Sequence, residues 1–164
     1  MDGPVHGSQP SEQVVSTPPE FLDAVIARFG PLYCDLAASE ENSVCEMYID
    51  EEEDSLARGT IWPGVTSMAP NNWLNPPFKN IYPWAEKCLQ NYEKAPTLFL
   101  VLASVSSEWW RKFVWHKADV AFLTPRVKFV GYKAGSARDL ALCHFHPAMT
   151  GKVQIWDWKK GILF

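Results

Sequence analysis

An open α/β sheet, mostly parallel and flanked by helices, is the fold class this sequence predicts. Three observations predict it. The chain has 164 residues, which suits one domain of ordinary size. Hydrophobic residues make up 47% and charged residues 21%, a globular composition that excludes disorder throughout. Apolar strand-like runs alternate with segments of helical period, the pattern of strands joined through helices.

The elements follow in order. Residues 1–16 are polar, with Gly, Pro and Ser, and read as a loose arm. At Thr17-Pro18-Pro19-Glu20, Thr at the cap, Pro at the first helical position and Glu three residues on form a helix-start signature. Phe21, Leu22, Val25, Ile26 and Phe29 recur at helical spacing until Gly30-Pro31 ends the run. Leu32–Leu36 reads as a strand, followed by the small-residue turn Ala37-Ala38-Ser39 and a brief helix. Met47–Ile49 is a second short strand, and residues 57–72 are irregular. Trp73-Leu74 leads, strand-like, into Asn75-Pro76-Pro77-Phe78, and residues 81–93 form a helix. Leu98–Ala103 is unbroken apolar, as expected of a strand covered on both faces in a parallel sheet. A helix over 106–117 and strands at 120–123, 140–145 and 153–158 complete the pattern.

Charge is divided unevenly. Residues 1–70 carry 2 basic and 13 acidic side chains, and residues 71–164 carry 13 basic and 6 acidic ones. The net charge of -4 hides that split, which suits a protein meeting a polyanion with one part of itself. Six acids crowd Glu46–Asp54, and seven basic residues face Asp119 alone between Trp109 and Arg138. In the 106–117 helix, Trp109, Trp110, Phe113 and Val114 share a face, while Trp115 falls beside Arg111 and Lys112. Trp115 either packs under a loop or faces nucleic acid among these cations.

No apolar run approaches the ~20 residues of a membrane span, mean hydropathy is -0.16, and no leader is visible at the start. A cytoplasmic protein without a membrane partner is expected. The four cysteines show no paired spacing. On a strand, Cys143 and Phe145 would share one face and His144 and His146 the other, which argues against a metal site.

Asn75-Pro76-Pro77-Phe78 carries the strongest chemical signal. Two prolines after a strand hold an extended turn and remove two N–H donors, leaving carbonyls to accept from a ligand. With the Asn75 amide oxygen and the Phe78 ring, they suit a planar group bearing an amine. A rigid Pro-Pro loop with a buried Phe is the alternative reading of the tetrapeptide alone.

Several motifs together are more specific. TPPEF (17–21), LYCDLAAS (32–39), EEEDSL (51–56), WLNPPF (73–78) and RVKF (126–129) occur in one order. In this the chain resembles the phage-type DNA N6-adenine methyltransferases over residues 17–146. The resemblance implies a Rossmann-like S-adenosylmethionine-dependent fold, with 17–164 as the methyltransferase domain. It implies cofactor contacts from Thr17, Pro18, Asp35, Ala37, Ala38, Ser39 and Asp54, with Glu51, Glu52 and Glu53 as alternatives for the ribose. Asn75, Pro76, Pro77 and Phe78 would be the catalytic loop holding a flipped adenine. DNA is the implied partner, met by Arg111, Lys112, Trp115, Lys117, Arg126 and Lys128, in a monomer or homodimer within a bacterial host cytoplasm. No metal is implied. RNA or protein-glutamine methylation through the same loop, or a degenerate copy that only binds, are the competing functions. Two departures, Ser104-Val105-Ser106 and Ala137-Arg138-Asp139 in place of proline-containing stretches, bear on the target pocket.

With the resembling span taking most of the chain, base reading is expected from short loops such as 57–72 or 130–139, from the tails, or from a second protomer. At ~1–3 kcal/mol of discrimination per good bidentate contact, a few loop residues specify about four base pairs or fewer. Sequencing of modified adenines after expression in an unmethylated host should show a short target with near-cognate methylation. A strict site of six or more base pairs, well beyond that rough limit, would contradict it.

Overall fold

The computed structural model describes residues 16–130 and 138–164. The loose arm expected at 1–16 lies outside these residues except for Ser16, as does most of the 130–139 loop. The elements are α1 (Pro19–Phe29), β1 (Leu32–Asp35), β2 (Met47–Tyr48), β3 (Asn71–Leu74), α2 (Tyr82–Asn91) and β4 (Thr97–Leu102). After a π-helical segment (Trp110–Val114) come β5 (Asp119–Thr124), β6 (Leu140–Phe145), β7 (Val153–Asp157) and β8 (Ile162–Leu163).

One sheet takes all the described strands in the order β2-β1-β3-β4-β6-β5-β7-β8. β4 is its spine. Leu98 and Leu100 point to the layer that holds Phe21 and Val25 of α1, with Trp73, Leu142 and Trp156. Phe99 and Val101 point the other way, to Ala85 and Cys88 of α2 and to Trp110 and Val114. The apolar run at 98–103 is therefore a strand covered on both faces, as its composition predicts.

The mostly parallel sheet expected from the sequence is instead mixed. β2, β1, β3 and β4 are parallel, as are β5 and β7. β6 runs antiparallel to both β4 and β5, and β8 antiparallel to β7. A buried run such as LALCHF has the same composition in either direction, so direction is not written locally. β5 and β6 are sequential neighbours, and such a pair needs no crossover helix.

The strand geometry defines two rims. The carboxyl ends of β1, β2, β3, β4, β5 and β7 share one rim with the starts of β6 and β8. The segment before β5 and the histidines at the end of β6 occupy the opposite rim.

Three local expectations shift. Pro18, rather than Thr17, is the cap residue of α1, and among the described residues no side chain caps the helix. The brief helix after Ser39 is a single turn closed by Ser43 N–H on Ser39 O at 2.9 Å. The 106–117 helix shrinks to the π-helical segment, where Trp115 N–H donates to Trp110 O at 2.8 Å. The extra residue per turn still buries Trp110 and Val114 and turns Trp115 out, 47% exposed.

His144 and His146 share a face, stacked with centroids 3.9 Å apart, while Cys143 and Phe145 are buried on the other. His146 Nε2 lies 2.8 Å from Asp119 Oδ2. Asp119 Oδ1 accepts from the N–H groups of Thr150 (2.9 Å) and Lys152 (3.0 Å), tying down the turn into β7. Among the described residues no group of three His, Cys, Asp or Glu is placed to hold a metal ion, and no helix is long and apolar enough to cross a membrane.

The same turn contains Gly151 at φ +76, where an added Cβ would meet the His116 carbonyl carbon at 2.8 Å. Gly151→Ala should cost ~1–3 kcal/mol from left-handed strain and this backbone clash. Urea unfolding of the two proteins measures it, and an unchanged midpoint would show that the turn yields freely.

Candidate functional site

The chain leaves β1 for β2 on one side, then passes back to place β3 on β1's other side. Open α/β sheets bind ligands outside the strand carboxyl ends at such a switch point. The turn after β1 and the Asn75–Phe78 loop after β3 meet there. Leu36 N–H donates to Trp73 O at 2.9 Å, joining the two exits directly.

Asp35 ends β1 almost fully buried. Its Oδ1 accepts from Ala37 N–H at 3.3 Å and its Oδ2 from Val44 N–H at 3.1 Å. Burial pushes its carboxyl up to about 6, and the two backbone N–H groups oppose that rise. Asp35 thus spends its oxygens shaping the Ala37-Ala38-Ser39 turn. The other two N–H groups of the turn are also spent inside the fold, Ala38 on Ile49 O at 3.1 Å and Ser39 on Asn42 Oδ1 at 2.7 Å, so the turn offers the rim small side chains on a fixed backbone.

The acidic loop folds back over the same end of the sheet. Asp54 adopts φ 49, and its Oδ1 accepts from Leu56 N–H at 3.0 Å. Ser55 is buried and donates its hydroxyl to Leu36 O. From α2, Lys87 Nζ donates to Ser55 O at 2.6 Å and Thr60 O at 2.7 Å, clamping the loop shut. Desolvation lowers the Lys87 ammonium's pKa, and the nearby Asp54 partly offsets this. A cavity of about 450 Å³ opens between β2 and this loop, lined by Tyr48, Ile49, Glu53, Thr60 and Ile61 among others. Glu53 lines it; Glu51, Glu52 and Asp54 do not.

At the exit of β3, Asn75 Nδ2 donates to Thr17 Oγ1 at 3.1 Å. The buried Thr17 hydroxyl, which the helix-start pattern assigns to capping, instead fixes the Asn75 amide. Among the described residues nothing donates to Asn75 Oδ1. Pro76 is buried, and Phe78 is half-buried against both layers of the core. The segment after β5 closes in from the other side: Val130 N–H donates to Ser16 O at 3.0 Å, bringing RVKF beside Thr17.

A family model described as DNA N-6-adenine-methyltransferase (Dam) matches residues 6–149. The chain belongs to this family. A Dam relative, the DNA N-6-adenine-methyltransferase of Escherichia phage T1, is 28% identical over 140 residues. That alignment covers 76% of this chain and 56% of the relative, so the chain spans little more than half the relative's length. No solved structure matches.

The Dam-type residues read from the sequence are only partly brought together. Thr17, Pro18, Asp35, Ala37–Ser39 and Asn75–Phe78 converge at the switch point, with Asp54 behind them on the clamped loop. Arg126 and Lys128 follow β5 on the same rim. Trp115 and Lys117 precede β5 on the opposite rim, separated by the length of that strand, ~16 Å at ~3.3 Å per residue. Arg111 and Lys112 lie on the crossover between rims, and Lys112 pairs with Glu108 at 2.7 Å. Lys87 and the inward-turned Asp35 carboxylate escaped sequence reasoning, because neither role leaves a local pattern.

Asp35 gives a pH signature of definite sign. A carboxyl raised in the folded state contributes stability fully below its unfolded value, and loses it as pH rises through about 6. The stability difference between wild type and Asp35→Asn should change by roughly 2–3 kcal/mol between pH 4 and 7. Urea titrations at both pH values measure it. Parallel profiles would place the carboxylate in solvent.

Proposed function

We propose that this chain transfers a methyl group from S-adenosylmethionine to the N6 amine of adenine in DNA, on a Rossmann-like methyltransferase fold. The observation that carries the reading is Asn75, held by Thr17 at the switch point beside the small-residue turn of β1. The family and its phage relative supply the reaction class, and the residues present supply a fitting site.

The residues suit the cofactor. The tight small-residue turn Ala37-Ala38-Ser39, its backbone fixed by Asp35, Ile49 and Asn42, would lie against its methionine end together with Pro18. The cavity beside β2 would take the nucleoside, where Glu53, which lines it, would meet the ribose hydroxyls, with Asp54 at the loop's turn. When bound, the cofactor supplies an electrophilic methyl group. Everything else falls to the chain.

Flipping an adenine out of the stack costs a few kcal/mol, recovered in the pocket. Phe78, anchored in the core along part of its ring, would stack on the base, a contact worth ~1–3 kcal/mol. Asn75 Oδ1 and the Pro76 carbonyl would accept from the N6 hydrogens, increasing electron density on nitrogen and orienting it. Because Nδ2 is committed to Thr17, the amide cannot turn its donor toward the substrate without losing that bond. Thr17 thereby acts as a positioning residue.

Labelled methyl transfer should favour DNA over RNA and a glutamine peptide. Asn75→Ala should lose at least tenfold in kcat, ~1.4 kcal/mol or more, with cofactor affinity nearly unchanged. Thr17→Val should lower kcat by about tenfold and Thr17→Ser should restore most of it. Full activity in Asn75→Ala, or transfer to RNA or peptide instead of DNA, would overturn the reading.

A further inference from the structure

On the β5–β7 side of the Asn75 loop, exposed cations continue past the residues that the Dam family model matches. The family match ends at residue 149, and the β7–β8 hairpin lies past it. β7 runs parallel to β5 with Thr124 opposite Asp157, so its turn emerges on the rim that carries Asn75. That turn holds Lys159 and Lys160, both exposed. It is rigidly seated: Trp158 Nε1 donates to Pro125 O at 2.7 Å, Trp158 N–H donates to Thr124 O at 3.0 Å, and Lys160 N–H donates to Asp157 Oδ1 at 3.0 Å.

The turn is also tied to the site through α1. Lys159 Nζ sits 3.8 Å from Glu20 Oε1, and Trp158 meets Phe21 edge-on at 5.3 Å. Glu20 is three residues from Thr17, the partner of Asn75. Arg126 and Lys128 lie between, Arg126 paired with Asp139 at 3.4 Å. Both ion pairs are exposed, of the kind that holds little energy and can be traded for a phosphate.

We propose that Lys159 and Lys160, with Arg126 and Lys128, grip the phosphates of duplex DNA flanking the adenine at Asn75. The inference rests on the methyltransferase reading of that site. From β3 to β7 the rim crosses four strand spacings, ~19 Å at ~4.8 Å each. A duplex lying along it presents roughly eleven phosphate charges over that length, at ~1.7 Å per charge. The cations follow β5 and β7, three and four spacings from β3, and so would meet backbone on one side of the extruded base. The exposed Trp115 and Lys117 occupy the opposite rim and face away from that path.

The test measures binding of the full chain to a fluorescent duplex containing adenine, across a salt series. Lys159→Gln/Lys160→Gln should flatten the slope of log affinity against log salt by about two, the loss of two phosphate contacts. At saturating duplex its kcat should match wild type while KM for DNA rises. Arg111→Gln/Lys117→Gln should keep the wild-type slope. An unchanged slope in the hairpin variant, or a larger loss in the crossover variant, would overturn the proposal. Wild type that binds duplex through the hairpin but transfers no methyl would sink the enzymatic reading and leave the grip intact.

Discussion

Everything at the candidate site depends on one reversal of winding. After β2 the chain cannot continue outward and still build β3 beside β1, so it returns across β1 and opens a crevice between two adjacent strand exits. The hydrogen bond from Leu36 N–H to Trp73 O keeps those exits together at 2.9 Å. A turn of small residues and a proline-locked loop then face each other without further machinery.

The loops around that crevice are held by polar groups turned inward. Asp35 accepts two backbone N–H groups, Ser55 reaches Leu36 O, and Lys87 donates to two carbonyls of the acidic loop. Each satisfies donors or acceptors that burial would otherwise penalise by ~1–3 kcal/mol. Irregular chain can thus be specified as firmly as a strand.

Much of the fold is legible in local patterns. The periodic apolar residues of α1, the run at β4 and the Pro-Pro loop are each encoded within a few positions, and each sits where its pattern puts it. The family was legible through the order of its motifs, and the fold brings Thr17 and Asn75 of two of them within 3.1 Å. What stayed hidden depends on distant pairings: the antiparallel direction of β6, the rim on which Trp115 emerges, and the diversion of Thr17 from a helix cap to Asn75. A threonine before Pro-Pro-Glu has the same sequence signature whether its hydroxyl serves the helix or a loop 58 residues away.

β3 is fastened at both ends. At its start, Asn71 Nδ2 donates to Phe29 O at 3.4 Å, and Asn71 Oδ1 lies 2.7 Å from His144 Nε2. Burial lowers the His144 pKa to about 3, so the ring is neutral, and because Asn71 Oδ1 can only accept, the tautomer that faces it carries its proton on Nε2. Just past the other end, Asn75 is held by Thr17. Four residues, ~13 Å of extended chain at ~3.3 Å each, therefore serve as a gauge with a stop at either tip. A residue inserted or deleted within this stretch cannot be absorbed by sliding the strand: one stop must give way, and with it either the seating of the sheet or the aim of the amide.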